Sequence, residues 1–496
     1  MIRGRREFLR AAALAAAATA APRELLALLD PTVARPSRAV RVRGRIRAAG
    51  EGLAGVAVSD GLQVVTSAAD GTYELVTDAR RDFVRLTVPS RFRIPRNPAG
   101  TARFYGPIEP DPGGEAAVSF DLEPVADASD RHAMIVLGDP QTQNPQEMAW
   151  FHEQTVPDVS ATVRNLGERE VFGVACGDIV YDRLELYPEY ERAVGRMEIP
   201  FFQVIGNHDL DQGAGFDESA TTTFTRHFGP RYYSFERGAV HYAVLDDVFW
   251  YGSGYLGYLD VDQLTWLAAD LARVEAGRTV VVLLHIPTLG SRHEREGESK
   301  PSVSRSVTNR EVLYRLLEPY RAHVIAGHMH ESEHVFRGSL HEHVCGAACG
   351  AWWSGPICGD GTPNGYAVYE IEGERVRWRY KATGMPADSQ ITVHAPGADP
   401  SAPADLLANV WDWDPGWTVH WFEDGEPRGA MARTPGRDPE SVRLHLGPDR
   451  PLRRTWVEPY PVGHLFRARP NSGARRVTVE AVDRFERSYR AEWIAG

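Results

Sequence analysis

The sequence predicts an α/β protein in which a sheet flanked by helices is joined to a β domain on each side. In the middle of the chain, short apolar runs end abruptly in polar residues. Segments with helical spacing of apolar residues lie between these runs, and alternation of strand and helix favours a sheet covered on both faces. Near both ends, short strands are broken by Gly and Pro, which is typical of β-sandwich domains.

Length predicts the number of domains, and net charge disfavours one class of partner. A chain of 496 residues is too long for one core and predicts roughly three domains. A hydrophobic content of 43% with 25% charged residues is typical of a soluble globular protein. The formal net charge of −12 disfavours a nucleic-acid track, because phosphate contacts need clustered Lys and Arg. We therefore do not expect a nucleic-acid partner.

Residues 1–21 are typical of an export signal. The segment Gly4–Arg10 contains Arg5-Arg6 and resembles a twin-arginine signal, and an Ala-rich stretch with a small-residue cleavage site follows it. A basic amphipathic arm is the alternative. Removal would take away four arginines and one glutamate, which changes the net charge from −12 to −15. No later run approaches the ~18 apolar residues that a membrane-spanning helix needs. The prediction is a periplasmic or secreted protein without a membrane span.

The remaining chain divides into three predicted units. Residues 37–124 form the first β domain, in which Asp60-Gly61 and Asp70-Gly71 mark turns between short strands. A linker leads into a predicted catalytic domain at 131–384, with helices expected near 262–274 and 309–320. Residues 385–496 contain short β-like runs at 417–422 and 476–482 and predict the second β domain.

Five apolar runs in the central unit end in residues that can bind metals or take part in catalysis. Parallel strands present such residues at the edge formed by their carboxyl ends, where α/β proteins bind ligands. The runs and their endings are 134–137 before Asp139 and Gln141, 171–176 before Asp178, 201–205 before Asn207, His208 and Asp209, 280–284 before His285, and 323–326 before His328 and His330. We expect these side chains to converge.

The order D-x-Q, G-D-x-x-Y/D, G-N-H-D, H, G-H-x-H resembles the calcineurin-like metallophosphoesterase superfamily. The resemblance covers about residues 134–370 and implies a β-sandwich core flanked by helices. The first β domain resembles the carboxypeptidase-regulatory-like domains that precede the catalytic domain in some exported bacterial phosphoesterases. The last unit resembles the C-terminal β domain found with it.

The resemblance also implies a centre of two divalent ions, Mn, Fe, Zn or Mg. Asp178 would bridge them, and a water or hydroxide between the ions would be the nucleophile. The first ion would be bound by Asp139, Gln141, Asp178 and His330, and the second by Asp178, Asn207, His285 and His328. Much of the superfamily has histidine at the position of Gln141. Since only two of these ligands are carboxylates, the site would keep a positive charge that attracts phosphate.

The same resemblance places His208 at the leaving-group oxygen, which it would protonate or stabilise. Asp209 would orient its imidazole, whereas a histidine bonded only to a backbone carbonyl is the alternative. The leading function is hydrolysis of a phosphomonoester or small phosphodiester. A purple-acid-phosphatase-like enzyme with Tyr181 on ferric iron, a nuclease or nucleotide phosphodiesterase, and a binding protein without turnover are the alternatives.

Three features stay open at this level. Trp352 and Trp353 could stack on a substrate or pack between domains. The polar stretch 291–306 is either a lid or a solvated loop. Cys176 is predicted to be a buried apolar residue, whereas Cys345, Cys349 and Cys358 could include one disulfide in an oxidising compartment.

Overall fold

The computed structural model describes residues 38–125, 130–448 and 450–495. The predicted export signal and most of the linker lie outside the described residues. Among the described residues, no helix is long and apolar enough to cross a membrane.

The described N-terminal residues, 38–125, contain nine strands in two sheets. Inward Val40 and Val42 of the first strand alternate with outward arginines, because one face of the sheet packs on a core. The strands are β1 (Ala39–Ala48), β2 (Glu51–Gly52), β3 (Ala57–Ser59), β4 (Val64–Thr66), β5 (Thr72–Asp78), β6 (Phe83–Leu86), β7 (Tyr105–Pro107), β8 (Glu115–Ala117) and β9 (Phe120–Leu122). One sheet has the order β2-β1-β5, with β8 and β9 also paired to β1, and the other has the order β4-β3-β6-β7.

The central part consists of two larger sheets. Its strands are β10 (Arg131–Leu137), β11 (Glu170–Cys176), β12 (Phe201–Val204), β13 (Tyr233–Arg237), β14 (Val240–Val244), β15 (Val248–Trp250), β16 (Tyr255–Gly257), β17 (Thr279–Leu283), β18 (Arg321–Ala326), β19 (Glu333–Arg337), β20 (Leu340–Val344), β21 (Gly365–Glu372) and β22 (Arg375–Ala382). The sheets have the orders β12-β11-β10-β21-β22 and β13-β14-β17-β18-β20-β19, and β15 pairs with β16. Strands β10, β11 and β12 are parallel, as are β14, β17, β18 and β20.

Strand β10 shows how the layers are built. Met134 and Val136 point into a core shared with Val281 and Leu283 of the second sheet. Ala133, Ile135 and Leu137 point the other way, into a core that also contains residues of the helices. Since both faces of the strand are buried, apolar residues do not alternate with polar ones, as the apolar run predicts. This arrangement confirms the predicted β-sandwich core flanked by helices.

The described residues contain nine α-helices, which surround the sheets or lie in the C-terminal part. They are α1 (Pro145–Trp150), α2 (Val156–Asn165), α3 (Tyr187–Gly195), α4 (Asp217–Ala220), α5 (Thr222–Phe228), α6 (Val261–Leu271), α7 (Arg292–Arg295), α8 (Arg310–Leu317) and α9 (Pro439–Leu446). A π-helical turn joins α1 to α2, and short 3₁₀ turns cover Leu184–Leu186 and Asn207–Asp209. The predicted helices near 262 and 309 are α6 and α8. Asp260 begins α6 by accepting a hydrogen bond from the Gln263 amide.

The C-terminal part contains two four-stranded sheets. Its strands are β23 (Ile391–His394), β24 (Leu406–Val410), β25 (Thr418–Glu423), β26 (Glu426–Ala430), β27 (Ala432–Arg433), β28 (Leu465–Ala468), β29 (Arg476–Val482) and β30 (Ser488–Ile494). The orders are β23-β24-β28-β27 and β26-β25-β29-β30. The β-like runs at 417–422 and 476–482 correspond to β25 and β29, so the predicted C-terminal β domain is confirmed as a fold.

All four cysteines lie in the described part of the chain. Each is free and buried. Cys176 is a buried end residue of β11, as predicted, and the disulfide considered among the other three is absent from this structure.

Candidate metal centre

The predicted site residues all lie where strands of the two sheets end. Asp139 and Gln141 follow β10, Asp178 follows β11, and Asn207 follows β12. His285 follows β17, while His328 and His330 follow β18. The two sheets therefore deliver all seven predicted ligands to one edge.

Left-handed backbone is concentrated at this edge. Non-glycine residues rarely adopt positive φ, because the Cβ atom crowds the backbone, and such strain clusters at functional sites. Five predicted ligands have it: Asp139 (44°), Gln141 (43°), Asp178 (48°), His328 (70°) and His330 (51°). Backbone strain is therefore concentrated at strand ends that carry predicted ligands.

Two glycines let the tips approach one another. A Cβ on Gly206 would lie 2.0 Å from the backbone nitrogen of Asp178. A Cβ on Gly327 would lie 2.7 Å from Asp139 Oδ2 and 2.8 Å from the Cys176 carbonyl oxygen. Any side chain at these positions would push the predicted ligands apart, which explains the glycine in the G-N-H-D and G-H-x-H motifs.

Three other predicted ligands meet around His285. Its Nε2 lies 3.3 Å from Asp178 Oδ1, 3.2 Å from Asn207 Oδ1 and 3.2 Å from His328 Nδ1. Ligand atoms of Asp178, His285 and His328 all lie within 4.8 Å of one another. These separations suit atoms that share one small cation.

The three histidines are each fixed by a backbone carbonyl. His285 Nδ1 donates to Cys176 O at 2.9 Å, His328 Nε2 donates to Ser304 O at 2.9 Å, and His330 Nδ1 donates to Gly350 O at 2.5 Å. In the neutral ring the other nitrogen is then a lone-pair acceptor turned into the site. His285 Nε2 and His328 Nδ1 thus face each other, and a cation between them would satisfy both.

His330 Nε2 is buried and has no hydrogen-bond partner among the described residues. It lies 3.7 Å from Asp139 Oδ1. A buried nitrogen without a partner is costly, and a metal ion bound here would satisfy it. The residues present therefore fit a metal at this position as well.

Asp178 connects the two groups of ligands. Its Oδ2 accepts a hydrogen bond from Gln141 Nε2 at 2.9 Å, while its Oδ1 is the atom beside His285. In this orientation the Gln141 side chain presents its nitrogen to Asp178. For Gln141 Oε1 to bind an ion, the amide group must rotate about the Cγ–Cδ bond. The donor set contains carboxylate, amide and imidazole groups but no thiolate, which suits Mn, Fe, Zn or Mg.

The electrostatics of the site also favour a cation. Burial raises the pKa of Asp139 well above its usual range, and the neighbouring Asp178 raises it further. Burial would lower the pKa of His285, but the carboxylates of Asp178 and Asp139 outweigh it and raise that pKa. The raised pKa of His285 shows that the carboxylates at this edge attract positive charge, which a bound metal would supply.

His208 is oriented by a carboxylate other than the one predicted. Its Nδ1 lies 2.8 Å from Asp182 Oδ1, and Gln212 Nε2 donates to the same oxygen at 3.2 Å. The prediction that Asp209 orients His208 is wrong in this structure. Asp182 closes the second motif, so a signal for it was present, but sequence alone does not decide between two nearby aspartates.

Asp209 instead holds the loops that carry the ligands. Its carboxylate accepts hydrogen bonds from the backbone amides of Ile179, Val180 and Gly206 at 2.9–3.3 Å and from the Tyr187 hydroxyl at 3.1 Å. The side chain is fully buried. Asp209 therefore ties the loop after β11 to the loop after β12 and has no free oxygen to offer His208.

Tyr181 packs flat on His208. The ring centroids are 4.1 Å apart with an interplanar angle of 20°. Burial raises the pKa of Tyr181, and Asp182 adds to the effect. The contact gives Tyr181 a role in holding the His208 ring.

The C-terminal part contributes to the walls of the site. Tyr460 donates from its hydroxyl to the backbone oxygen of His330 at 2.5 Å. The Arg454 guanidinium lies 4.8 Å from the ring centre of Tyr181 and donates to Gln143 Oε1 at 2.8 Å. Nothing in the local sequence links these residues to motifs more than a hundred positions earlier, so they could not be predicted.

The paired tryptophans pack at the same place. Trp352 stacks on His330 with ring centroids 4.0 Å apart, and Trp456 contacts it edge-on at 4.5 Å. Trp353 donates from Nε1 to Pro140 O at 3.0 Å. Trp352 and Trp353 therefore support the ligand loops, while half-exposed Trp456 faces outward.

The polar stretch 291–306 is held rather than freely solvated. Arg295 bonds to the buried Glu331 at 2.6 Å and also pairs with Glu333. Ser304 supplies the carbonyl that fixes His328. This segment is therefore part of the site's support.

The chain matches sequence profiles of one family along most of its length. The profile for the N terminal of calcineurin-like phosphoesterase matches residues 40–125, the calcineurin-like phosphoesterase profile matches residues 132–332, and the profile for its C terminal matches residues 342–489.

Individual relatives share parts of this chain. Serine/threonine-protein phosphatase CPPED1 of Bos taurus is 28% identical over 229 residues, which span 44% of this chain and 69% of the relative. Purple acid phosphatase 22 of Arabidopsis thaliana is 34% identical over 150 residues, 29% of this chain and 30% of the relative. Among solved structures, purple acid phosphatase PPD1 of yellow lupin aligns with a TM-score of 0.35 and 12% identity over 72% of this chain and 66% of that one. On the three profile matches, this chain belongs to the calcineurin-like phosphoesterase family and is a phosphoric ester hydrolase.

Proposed function

We propose that this protein hydrolyses a phosphomonoester or a small phosphodiester with two divalent ions. The observation that carries the proposal is the position of Asp178, which contacts Gln141 through one oxygen and His285 through the other. One carboxylate between two groups of ligands is what a pair of ions about 3.5–4 Å apart requires.

The residues that would hold the ions are those placed at the strand tips. Asp139, Gln141, Asp178 and His330 would bind one ion, and Asp178, Asn207, His285 and His328 the other. When bound, the ions would acidify a water that attacks phosphorus and would neutralise charge on the phosphoryl oxygens. Because the donors are carboxylate, amide and imidazole groups, the ions would be Mn, Fe, Zn or Mg.

His208 would act on the leaving group. Its Nδ1 is fixed by Asp182, which leaves Nε2 as the nitrogen that meets the substrate. Tyr181 holds the ring plane from one side. In this arrangement Nε2 would donate a proton to the oxygen that departs from phosphorus.

The surroundings favour a small substrate. Arg454 and Trp456 of the C-terminal part stand beside the ligand loops. The acidic net charge of −12 is unfavourable for a long polyanion. A phosphomonoester or small diester therefore fits better than nucleic acid.

Hydrolysis of para-nitrophenyl phosphate, its bis ester and single-stranded DNA, each with Mn²⁺, tests the proposal. We expect turnover of one or both small esters and little of DNA. Asp178→Asn should abolish the activity, whereas Asp121→Asn, an exposed change in the N-terminal part, should leave it intact. Equal activity of the Asp178→Asn and Asp121→Asn proteins would refute the proposal.

We also propose export through the twin-arginine route, on the sequence of residues 1–21. The full chain should appear in the periplasmic fraction or medium of an expressing bacterium. Replacing Arg5 and Arg6 together by Lys should retain it in the cytoplasm. Unchanged fractionation of that variant would exclude this route.

A further inference from the structure

A second cluster of metal-capable side chains lies away from the strand tips. His334 of β19 and His343 of β20 stand directly opposite each other in the antiparallel pair. Asp412 reaches them from the turn after β24 in the C-terminal part. None of these residues belongs to the candidate metal centre, and the cluster lies between the second central sheet and the C-terminal part.

The cluster has the spacing of a small cation site. His334 Nε2 lies 2.9 Å from Asp412 Oδ1, and His343 Nε2 lies 3.6 Å from the same oxygen. Ligand atoms of all three residues fall within 4.8 Å of one another. Two ligands of one tetrahedral Zn²⁺, each about 2.0–2.1 Å from the ion, are about 3.3 Å apart. The observed distances lie on either side of that value.

Two atoms of the cluster lack partners. His343 Nε2 and Asp412 Oδ2 are buried and make no hydrogen bond within the described residues. The side chains of His334, His343 and Asp412 are at most 1% exposed. Since an unsatisfied buried nitrogen and an unsatisfied carboxylate oxygen each cost free energy, their juxtaposition needs an explanation. A cation contacting both would provide it.

The outer nitrogens of the two rings are already occupied. His334 Nδ1 is hydrogen-bonded to His341 Nε2 at 2.9 Å, and His343 Nδ1 is bonded to the Tyr369 hydroxyl. Such outer bonds orient metal-binding imidazoles and fix which nitrogen faces the ion. The rings of His334 and His343 also stack with centroids 4.0 Å apart, which holds both Nε2 atoms on the side of Asp412.

We propose that His334, His343 and Asp412 bind a structural divalent ion, Zn²⁺ by its ligand preference, that fastens the β19–β20 hairpin to the C-terminal part. Two imidazoles and one carboxylate are a donor set that Zn²⁺ accepts, whereas Mg²⁺ and Ca²⁺ prefer oxygen ligands. Asp412 Oδ2 supplies the fourth position if the carboxylate binds through both oxygens. Since the three side chains are at most 1% exposed, no substrate reaches the ion and its role is structural.

The competing explanation is a metal-free cluster in which His334 donates a hydrogen bond to Asp412. That arrangement satisfies one nitrogen and one oxygen, but it leaves His343 Nε2 and Asp412 Oδ2 unpaired. The two explanations differ in metal content, so they can be separated directly.

The test uses the full chain with two of the seven proposed catalytic ligands replaced, Asp178→Asn and His285→Gln, so that both catalytic ions lose a shared ligand and bind weakly. After chelation, reloading with Zn²⁺ and dialysis, this protein should retain about one tightly bound Zn²⁺ per chain by mass spectrometry of the metal. Zinc X-ray absorption should report imidazole and oxygen ligands without sulfur. Added Zn²⁺ should raise its Tm, because an ion that binds only the folded chain stabilises it.

Adding His343→Gln should remove this Zn²⁺ and the Zn²⁺-dependent rise in Tm. His323→Gln is the matched control, because His323 bonds to His341 at 3.0 Å beside the cluster but contributes no ligand atom. It should keep both. Two results would overturn the proposal. One is that the protein with Asp178→Asn and His285→Gln retains no tightly bound Zn²⁺. The other is that its Zn²⁺ content is equal with and without His343→Gln. If His343→Gln fails to fold, His334→Gln replaces it in the same comparison.

Discussion

The two flanking β parts stand in different relations to the candidate metal centre. The N-terminal part contacts the central sheet at Phe201, the first residue of β12, where Ala102 N donates to Phe201 O at 2.8 Å. That is the end of the strand opposite to Asn207. The C-terminal part contacts the carboxyl edge itself, through Tyr460 at His330 and Arg454 at Tyr181. Similar architecture therefore does not imply a similar role: the C-terminal part is placed to affect turnover, and the N-terminal part to affect stability.

The largest effect on kcat is expected at His208, within the site itself. We expect His208→Ala to lower kcat on an alkyl phosphate by about 10²- to 10⁴-fold, because the leaving alkoxide loses its proton donor. Metal content should stay unchanged, since His208 is not a proposed ligand. An aryl phosphate, whose leaving group needs less assistance, should show a smaller loss. Equal kcat for variant and wild type on both esters would remove His208 from the mechanism.

Substitution of the two aspartates near His208 should have different effects: one on kcat and the other on stability. Asp182→Asn should lower kcat by about 10- to 10²-fold, because the imidazole loses the carboxylate that orients it. Asp209→Asn should instead lower stability by about 1–3 kcal/mol, because at least one buried partner of its carboxylate is lost. Kinetics and thermal unfolding of both variants check this division. The reverse pattern would restore Asp209 as the orienting residue.

One arginine from each flanking part tests the comparison itself. Arg454→Ala should lower kcat/KM by about 3- to 10-fold, since Tyr181 and the His208 ring beneath it lose support. Arg81 of the N-terminal part pairs with Asp262 of α6 at 2.5 Å and is the matched control. Arg81→Ala should leave kcat/KM unchanged. Equal losses in the two variants would mean that both parts act only through overall stability.

The smallest expected effect lies at the N-terminal contact. Tyr232 donates from its hydroxyl to Gly61 O at 2.7 Å in a buried position. Tyr232→Phe should cost about 1 kcal/mol of stability, the net value of such a bond. Denaturant unfolding should reveal the loss, and kcat should stay at the wild-type value. A change in kcat larger than in stability would connect this contact to the site.

The sequence predicted the strand tips but not the contacts among them. Apolar runs that end in Asp, Asn or His predict strands with polar residues at their carboxyl ends. Because the carboxyl ends of parallel strands lie at one edge of a sheet, Asp139 and His285 could be predicted to converge. The choice between Asp182 and Asp209 depends on the left-handed backbone at Asp182 (φ 57°) and on the 3₁₀ turn at Asn207–Asp209. Such backbone details are set by tertiary packing rather than by the motif.

Contributions from distant sequence were also beyond prediction. Arg454 and Tyr460 reach the site only because the C-terminal sheets pack beside the loops after β18. Similarly, the cluster of His334, His343 and Asp412 joins a hairpin to a turn almost seventy residues later. No spacing rule links those positions, since the separation reflects domain packing and not a local motif.

The most direct test of the account is the metal content of the catalytic centre. Purified wild-type protein, the Asp178→Asn/His285→Gln variant and the Asp121→Asn control should be loaded with the same divalent metal and analysed for ions per folded chain. We predict that wild type and control each carry about two ions more than the variant, because Asp178 touches both groups of ligands. A wild-type chain that carries at most one ion in all, or a variant with the full wild-type complement, would contradict the account.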